Sequence, residues 1–352
     1  MWSEVAGVFL LSTAVVRVAR QVALKKTLLD VPNERSSHKV PVPRLGGAAF
    51  MPVVLLAIAL LAPRTPLPSA VFFALLGGAI ALFFVSLVDD LLTLSTSIRF
   101  AVQFAAAGVL AWAVFNHGAL AGSIAPFSEL DLLATRYSLL ATVLTIAIVA
   151  LLNIYNFMDG IDGIAGLQAV VAGISWCMFG TLLATPFVAY VGACIAAGAL
   201  GFLTLNWPPA KIFMGDAGST VLGFFLATLP FVAVVETKAA VRLEVLLVAA
   251  VLVVWPFLAD GTFTILRRLK NRENILKAHR SHLYQRLVIA GKSHQAVTLA
   301  YGALAVIGAF LGWTVVRGYA YAIPLSGVVV LAMFGCLWRW TVGCEKREAP
   351  RG

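Results

Sequence analysis

The sequence predicts an all-α integral membrane protein of about eleven transmembrane helices, its N-terminus outside, its C-terminus in the cytoplasm and its polar chemistry gathered in cytoplasmic loops. Three observations carry this expectation. Of 352 residues, 61% are hydrophobic and 12% charged, with a mean hydropathy of +0.95, which leaves too little polar surface to cover a water-soluble core. The apolar residues fall in runs long enough to cross a bilayer. Lys and Arg are divided very unequally between alternate connections.

Taken in order, runs of about 17–25 apolar residues place the spans at 4–24, 46–63, 69–88, 100–116, 137–154, 164–181, 185–205, 217–235, 243–265, 296–316 and 319–338. The chain reads as one polytopic domain over 1–352, with its polar motifs between 30 and 287, two further spans over 296–338 and a cytoplasmic tail over 339–352. The first run is not a secretory signal, because Glu4 precedes it, no basic residue does, and Arg17 and Arg20 lie inside it or at its end. Cys177, Cys194, Cys336 and Cys344 are far apart, without CxxC or Cys/His spacing, and carry no visible chemistry.

Orientation follows from the cations. The odd connections and the C-terminus hold 19 Lys and Arg, whereas the even connections hold only Arg64, Arg136, Lys238, Arg242 and Arg317. Positive residues stay inside, which puts the odd loops in the cytoplasm. The net charge of +10 is then a topology signal, and no nucleic-acid partner is needed to explain it.

The acids share that face. Asp30, Asp89, Asp90, Asp159, Asp162 and Asp216 all lie in or beside odd connections, Asp131 alone lies in an even one, and Asp260 falls within the ninth span. Carboxylates collected beside cations suit a metal and an anionic substrate at the cytoplasmic surface. In "VSLVDDLLTLS", Asp89 and Asp90 end the third span, and neighbouring side chains on a helix point about 100° apart, so the two are expected to divide the work. A solvated pair at a helix end is the plain alternative.

In "NIYNFMDGIDG", over 153–163, Asn153, Asn156, Asp159 and Asp162 recur every three residues and would form one stripe if the helix continued. Gly160, Gly163 and Gly166 weaken a continuous helix and would let backbone N–H groups approach a diphosphate. The closing Glu of an EF-hand is absent, which leaves a structural turn as the other reading. "NWPPAKIFMGDAGST" adds Asn206, Phe213 and Asp216. Asp216 is either a helix start or an oxygen ligand for Mg²⁺, which keeps its remaining positions for water and phosphate, and Phe213 offers a flat face to a base or simply faces lipid. In "RRLKNRENILKAHRSHLYQRL", His279, His282 and Arg286 lie at i, i+3 and i+7 of a helical reading, as a phosphate-facing set, an interfacial amphipathic helix, or both.

Five ordered stretches, "DVPNERSSHKVPVPRLGG", "VDDLLTLS", "NIYNFMDGIDGIAG", "NWPPAKIFMGDAGSTVLG" and "HRSHLYQRL", together resemble the polyprenyl-phosphate N-acetylhexosamine-1-phosphate transferase superfamily (glycosyltransferase family 4), in its sugar-1-phosphate branch. The resemblance implies a phosphoglycosyl transferase of the bacterial inner (cytoplasmic) membrane that passes N-acetylhexosamine-1-phosphate from a UDP-N-acetylhexosamine to undecaprenyl phosphate. UMP is released, and the lipid-diphospho-sugar primes O-antigen or another surface glycan. It also implies Mg²⁺ or Mn²⁺ and admits a homodimer. By the same resemblance Asp216 is a metal ligand, Asp89 assists at the metal or the acceptor phosphate, and Asp90 and Asp162 are the other catalytic carboxylates. Asn156, Asp159 and Gly160 line the nucleotide side, Asn206 and Phe213 contact the uracil, and His279, His282 and Arg286 bind donor phosphates or sugar. His38, with Asn33 and Arg35, lies near a phosphate.

Two departures from the phospho-N-acetylmuramoyl-pentapeptide branch, the Val42-Pro43-Arg44-Leu45-Gly46-Gly47 ending of the first loop and the unpaired His279 and His282, favour the surface-glycan branch, with the peptidoglycan enzyme as the alternative. A secondary transporter is the alternative from another class, but it would place its binding groups near the midplane. Direct attack by the lipid phosphate is expected over a two-step route, because that phosphate is already anionic and the remaining task is neutralisation and alignment.

Overall fold

In a computed structural model of the chain, residues 2–32, 40–61, 65–117, 133–237, 242–274 and 279–348 are described, the side chains of 61, 133–137 and 348 excepted. The spans appear in order as helices α1 (Trp2–Lys25), α2 (Gly46–Leu61), α3 (Ser69–Leu92), α4 (Thr96–Asn116), α5 (Leu133–Phe157), α6 (Ile164–Leu182), α7 (Pro186–Asn206), α8 (Asp216–Glu236), α9 (Leu243–Lys270), α11 (His294–Val316) and α12 (Ala322–Glu348). Among the described residues ten of these are long and apolar enough to cross a membrane. The remaining one, α2, has 16 residues and contains Pro52, about 24 Å of helix at 1.5 Å per residue, short of a full hydrocarbon core.

Two elements lie outside that expectation. Strands β1 (Leu29–Asp30) and β2 (Val42–Pro43) pair antiparallel, Asp30 opposite Val42, and draw the ends of the first loop together. A short helix, α10 (Leu283–Ile289), follows the ninth connection. Several helices also outrun their apolar runs at the cation-rich ends: α3 continues to Leu92, α9 to Lys270 and α12 to Glu348. The apolar run marks what the lipid demands, whereas the backbone keeps its hydrogen bonds for another turn or more, and the charged residues of those turns build the site.

Helix α8 is the central pillar. Every residue from Ala217 to Glu236 is buried, and α2, α3, α5 and α9 pack around it. Close approach depends on glycine at a few contacts: a Cβ on Gly47 would stand 2.5 Å from Gly218 Cα, and one on Gly223 would stand 2.7 Å from Leu152 Cα. Small residues let helix backbones meet where no hydrophobic force separates helix from lipid. Its far end is tied by Glu236, which accepts the Phe187 and Val188 N–H groups of α7 at 2.7 and 3.0 Å. Leu56, Phe73, Phe84, Trp112, Phe310 and Leu331 are exposed on the outside of the bundle, the surface a bilayer would cover.

Candidate active site

The N-terminus of α8 organises the site. Its first amides have no partner inside the helix, and Asp90 of α3 supplies one: Oδ1 accepts the Asp216 N–H and Oδ2 the Ala217 N–H, each at 3.0 Å. Gly215 makes room for this, with φ of 74° and with Asp90 Oδ2 2.7 Å from where its Cβ would be. Asp89, on the neighbouring helix direction, points elsewhere. Its Oδ1 accepts the Leu94 N–H at 2.6 Å, closing the turn into α4, and its Oδ2 faces Arg99 Nη1 at 2.9 Å. The adjacent aspartates thus face different partners.

Asp216 stands between two arginines. Arg44 Nη2 is 3.1 Å from Asp90 Oδ1 and 3.4 Å from Asp216 Oδ1, and Arg99 Nη1 is 3.7 Å from Asp216 Oδ2. Burial works against the Arg44 charge, but Asp90 and Asp216, with Asp30 and Asp159 beyond, outweigh it and hold its pKa above the ordinary value. Arg44 reaches this point because its loop docks on the FMGD turn: Phe213 N–H bonds to Pro43 O at 2.8 Å, Gly46 N–H to Phe213 O at 2.9 Å and Gly47 N–H to Met214 O at 2.7 Å. A Cβ on Gly46 would stand 2.6 Å from that Phe213 oxygen, which explains the paired glycines.

The DG loop closes the next side. Helix α5 ends at Phe157, so the stripe expected through Asp162 breaks: Asn153 and Asn156 stay on the helix, and Asp159 and Asp162 lie on the loop. Asn153 turns away to Gln103 of α4 at 2.8 Å. Asn156 faces the site, donating to Asp216 Oδ1 at 3.2 Å and Ser219 Oγ at 2.8 Å. Burial first, then the charge of Asp216, pushes the carboxyl of half-buried Asp159 well above the usual carboxylate range, and Arg44 only partly offsets this. Asp162 is tied into the scaffold: Oδ2 accepts the Ala210 N–H at 3.0 Å, and Oδ1 pairs with His294 Nδ1 at 3.2 Å. Asn206, 4% exposed, accepts the Gly163 N–H at 2.9 Å and donates to Ile212 O at 2.8 Å, so it bridges the DG and FMGD loops. Phe213 beside it is half-buried.

The late motif differs from the helical reading. His279 and His282 precede α10, with His282 at its N-cap, because Asp260 captures the first amides of α10 from inside the bundle. The apolar side of α10 packs into the bundle, with Leu283, Tyr284 and Leu287 fully buried. The His279 ring stacks on His282 with centroids 5.0 Å apart, and His282 on Tyr284 at 5.7 Å. Burial, and then the proximity of His282, Arg268 and Arg267, pushes the His279 imidazole down to about 4, so it is neutral near pH 7. Arg286 is engaged by Glu345 of α12 through both Nε and Nη2, at 2.7 and 2.6 Å. His38, Asn33 and Arg35 lie outside the described residues.

Gly160 joins this column to the DG loop. The Tyr284 hydroxyl donates to Phe157 O at 3.1 Å, and a Cβ on Gly160 would stand 3.0 Å from Tyr284 Cζ and nearer still to its oxygen. Tyr284 is itself fully buried. Gly160→Ala is therefore expected to displace the loop carrying Asp159 and lower the initial rate about tenfold or more, the scale of a small misplacement at a reacting centre. Wild-type rates in that variant would show that loop and tyrosine separate without consequence.

Among the described residues no three His, Cys, Asp or Glu form a ready metal cluster. The donor set nonetheless fits Mg²⁺, which takes one or two carboxylates and completes its shell with water and phosphate oxygens. Asp90 and Asp89 have both oxygens engaged, whereas Asp216 is 23% exposed and its Oδ2 faces only a distant Arg99. The Nε of Arg99 is buried without a hydrogen-bond partner, so that guanidinium is incompletely satisfied where it stands.

A helical bundle with carboxylates and guanidinium groups interleaved at one end of its spans defines a class: polytopic membrane proteins with a charged site at the membrane boundary. The chain belongs to glycosyl transferase family 4, whose family model matches residues 72–235, and within it to the polyprenyl-phosphate N-acetylhexosamine-1-phosphate transferases. It is 32% identical to the decaprenyl-phosphate N-acetylglucosaminephosphotransferase of Mycobacterium leprae over 84% of this chain and 82% of the relative. It is 28% identical to the probable undecaprenyl-phosphate N-acetylglucosaminyl 1-phosphate transferase of Bacillus subtilis, over 80% and 75%. With the undecaprenyl-phosphate alpha-N-acetylglucosaminyl 1-phosphate transferase of Salmonella typhi the identity is 29%, over 94% and 87%.

Sequence reasoning missed Arg44, Arg99, Ser219 and His294 as site residues. Arg99 was visible only as a member of the cytoplasmic charge count, and Arg44 there and in the ending of the first loop. A signal for Arg99 was present: Asp89 and Arg99 flank a short polar turn, "TLSTS", that reverses the chain.

Proposed function

We propose that this protein transfers N-acetylhexosamine-1-phosphate from a UDP-sugar to undecaprenyl or a similar polyprenyl phosphate at the cytoplasmic face of the bacterial inner membrane, starting a lipid-linked surface glycan. One observation carries the reading: Asp216 lies at a buried helix N-terminus between Arg44 and Arg99, beside an apolar bundle surface along which a lipid tail can lie.

An oxygen of the lipid phosphate attacks the phosphorus bonded to the sugar. The new P–O bond forms as the bond to the bridging oxygen breaks, and UMP leaves with that oxygen. Asp216, with the substrate's own phosphate oxygens, would hold Mg²⁺ (or Mn²⁺), which when bound neutralises diphosphate charge. Arg44 and Arg99 bring fixed positive charge to the same place, worth more in a partly desolvated site than in water. Direct attack is favoured over a covalent aspartyl intermediate, because Asp89 and Asp90 are each hydrogen-bonded at both oxygens. Asn156 orients Asp216. The Asn206 bridge sets the distance between the DG loop and Phe213, where a uracil ring would stack.

Purified full-length protein in detergent, given undecaprenyl phosphate, Mg²⁺ and a panel of UDP-N-acetylhexosamines, is expected to release UMP with one donor and to stop when EDTA is added. Folded protein that turns over no donor and binds no polyprenyl phosphate would overturn the reading. Undiminished turnover in EDTA would remove the metal from it.

A further inference from the structure

Asp260 lies inside the α9 span with no exposed surface. A carboxylate there is costly unless fully hydrogen-bonded, and ionisable groups within spans mark function more often than packing. Five donors surround its two oxygens. Oδ1 accepts the Leu283 N–H at 2.8 Å and the Thr264 hydroxyl at 3.2 Å, and faces His282 Nδ1 at 3.3 Å. Oδ2 accepts the Tyr301 hydroxyl at 2.6 Å and the Tyr284 N–H at 3.1 Å. Thr264 belongs to α9 itself, Tyr301 to α11, and the other three to the start of α10.

Three of these donors, His282, Leu283 and Tyr284, belong to the late motif. His282 stacks with both His279 and Tyr284, and Tyr284 holds the DG loop through Phe157 O and through contact with Gly160. One buried carboxylate thus sets the histidine pair and the Asp159 loop at a fixed separation. With Nδ1 committed to Asp260, Nε2 is left as the polar atom His282 can offer to a ligand, the arrangement by which a carboxylate fixes the tautomer and rotamer of a functional imidazole.

We infer that Asp260 is the positioning residue of the donor side: from within the membrane it holds His282, and through it His279 and the DG loop, in the geometry that receives the nucleotide sugar. This rests on the transferase reading above. Asparagine cannot replace it, since its NH₂ would face a donor whichever way the amide turned. Tyr301→Phe removes one donor and leaves the other four.

Both variants are tested as full-length protein in detergent by steady-state kinetics and hydrogen exchange. Asp260→Asn is expected to raise KM for the UDP-sugar about tenfold or more, leave KM for polyprenyl phosphate unchanged, and speed exchange in 279–290 and 157–163 together while α8 stays protected. Tyr301→Phe is expected to raise the donor KM about threefold at an unchanged Tm. Wild-type exchange in both segments of Asp260→Asn would overturn the inference, as would donor and acceptor parameters that worsen together in step with Tm. Coupled exchange in a wild-type protein that transfers no sugar would overturn the transferase reading and leave the link from Asp260 to the two loops standing.

Discussion

Asp216→Asn is expected to lower the rate of UMP release by on the order of 10²–10³-fold or more, the scale seen when a group acting on transition-state charge is removed, while the protein stays folded. Asparagine keeps an oxygen for Asn156 to donate to. The start of α8 is held through the Asp216 backbone N–H, which bonds to Asp90 and is untouched by the change. What disappears is the negative charge of a carboxylate whose Oδ2 faces Arg99 only at 3.7 Å. Two measurements check this together: turnover, and Mn²⁺ binding by titration or spin resonance. The expected variant has an unchanged Tm, weak metal binding and almost no turnover. Turnover within threefold of wild type would sink the assignment of Asp216 to the metal.

Asp90→Ala should behave differently, because Asp90 holds the structure as well as the charge. Its side chain is 3% exposed and ties α3, the first loop and α8 together. Removing it leaves two buried N–H donors without an acceptor, at about 1–3 kcal/mol each. Arg44 adds little to that sum, since it is 40% exposed and screened by solvent. A loss of roughly 2–6 kcal/mol is expected, read as a lower Tm, together with a fall in turnover at least as large as that of Asp216→Asn, because Asp216 and Arg44 both lose their anchor. Thermal unfolding in detergent beside the UMP assay separates the variants: activity falls alone in one, and activity and stability fall together in the other. An Asp90→Ala protein with wild-type Tm would show that the α8 amides find another partner.

Much of the architecture was legible because the bilayer imposes a one-dimensional code. The eleven apolar runs correspond to eleven helices in order, since backbone groups in hydrocarbon must be satisfied within the segment. What was misread lies where that code stops. Asn153 shares the three-residue spacing of the site residues, yet it serves the α4–α5 contact, because the helix ends at Phe157 and the spacing ceases to mean a common face. His279 and His282 fit a helical pattern in sequence, but the α10 amides are drawn onto Asp260 and the helix begins only after them.

The sequence by itself determined the solvent, the order of the apolar helices, the gathering of Asp with Lys and Arg, and the motifs that place the chain in its family. These are properties of local composition and order. The tertiary structure alone decided the partners: Asp90 as the anchor of α8, Asp216 left between Arg44 and Arg99, Asp162 bound to Ala210 and His294, and Asp260 linked to α10 and α11. Each of the cross-chain contacts among these joins residues tens to more than a hundred positions apart. Buried polar groups must find partners wherever the fold brings donors and acceptors together, and nothing local in a sequence encodes that meeting.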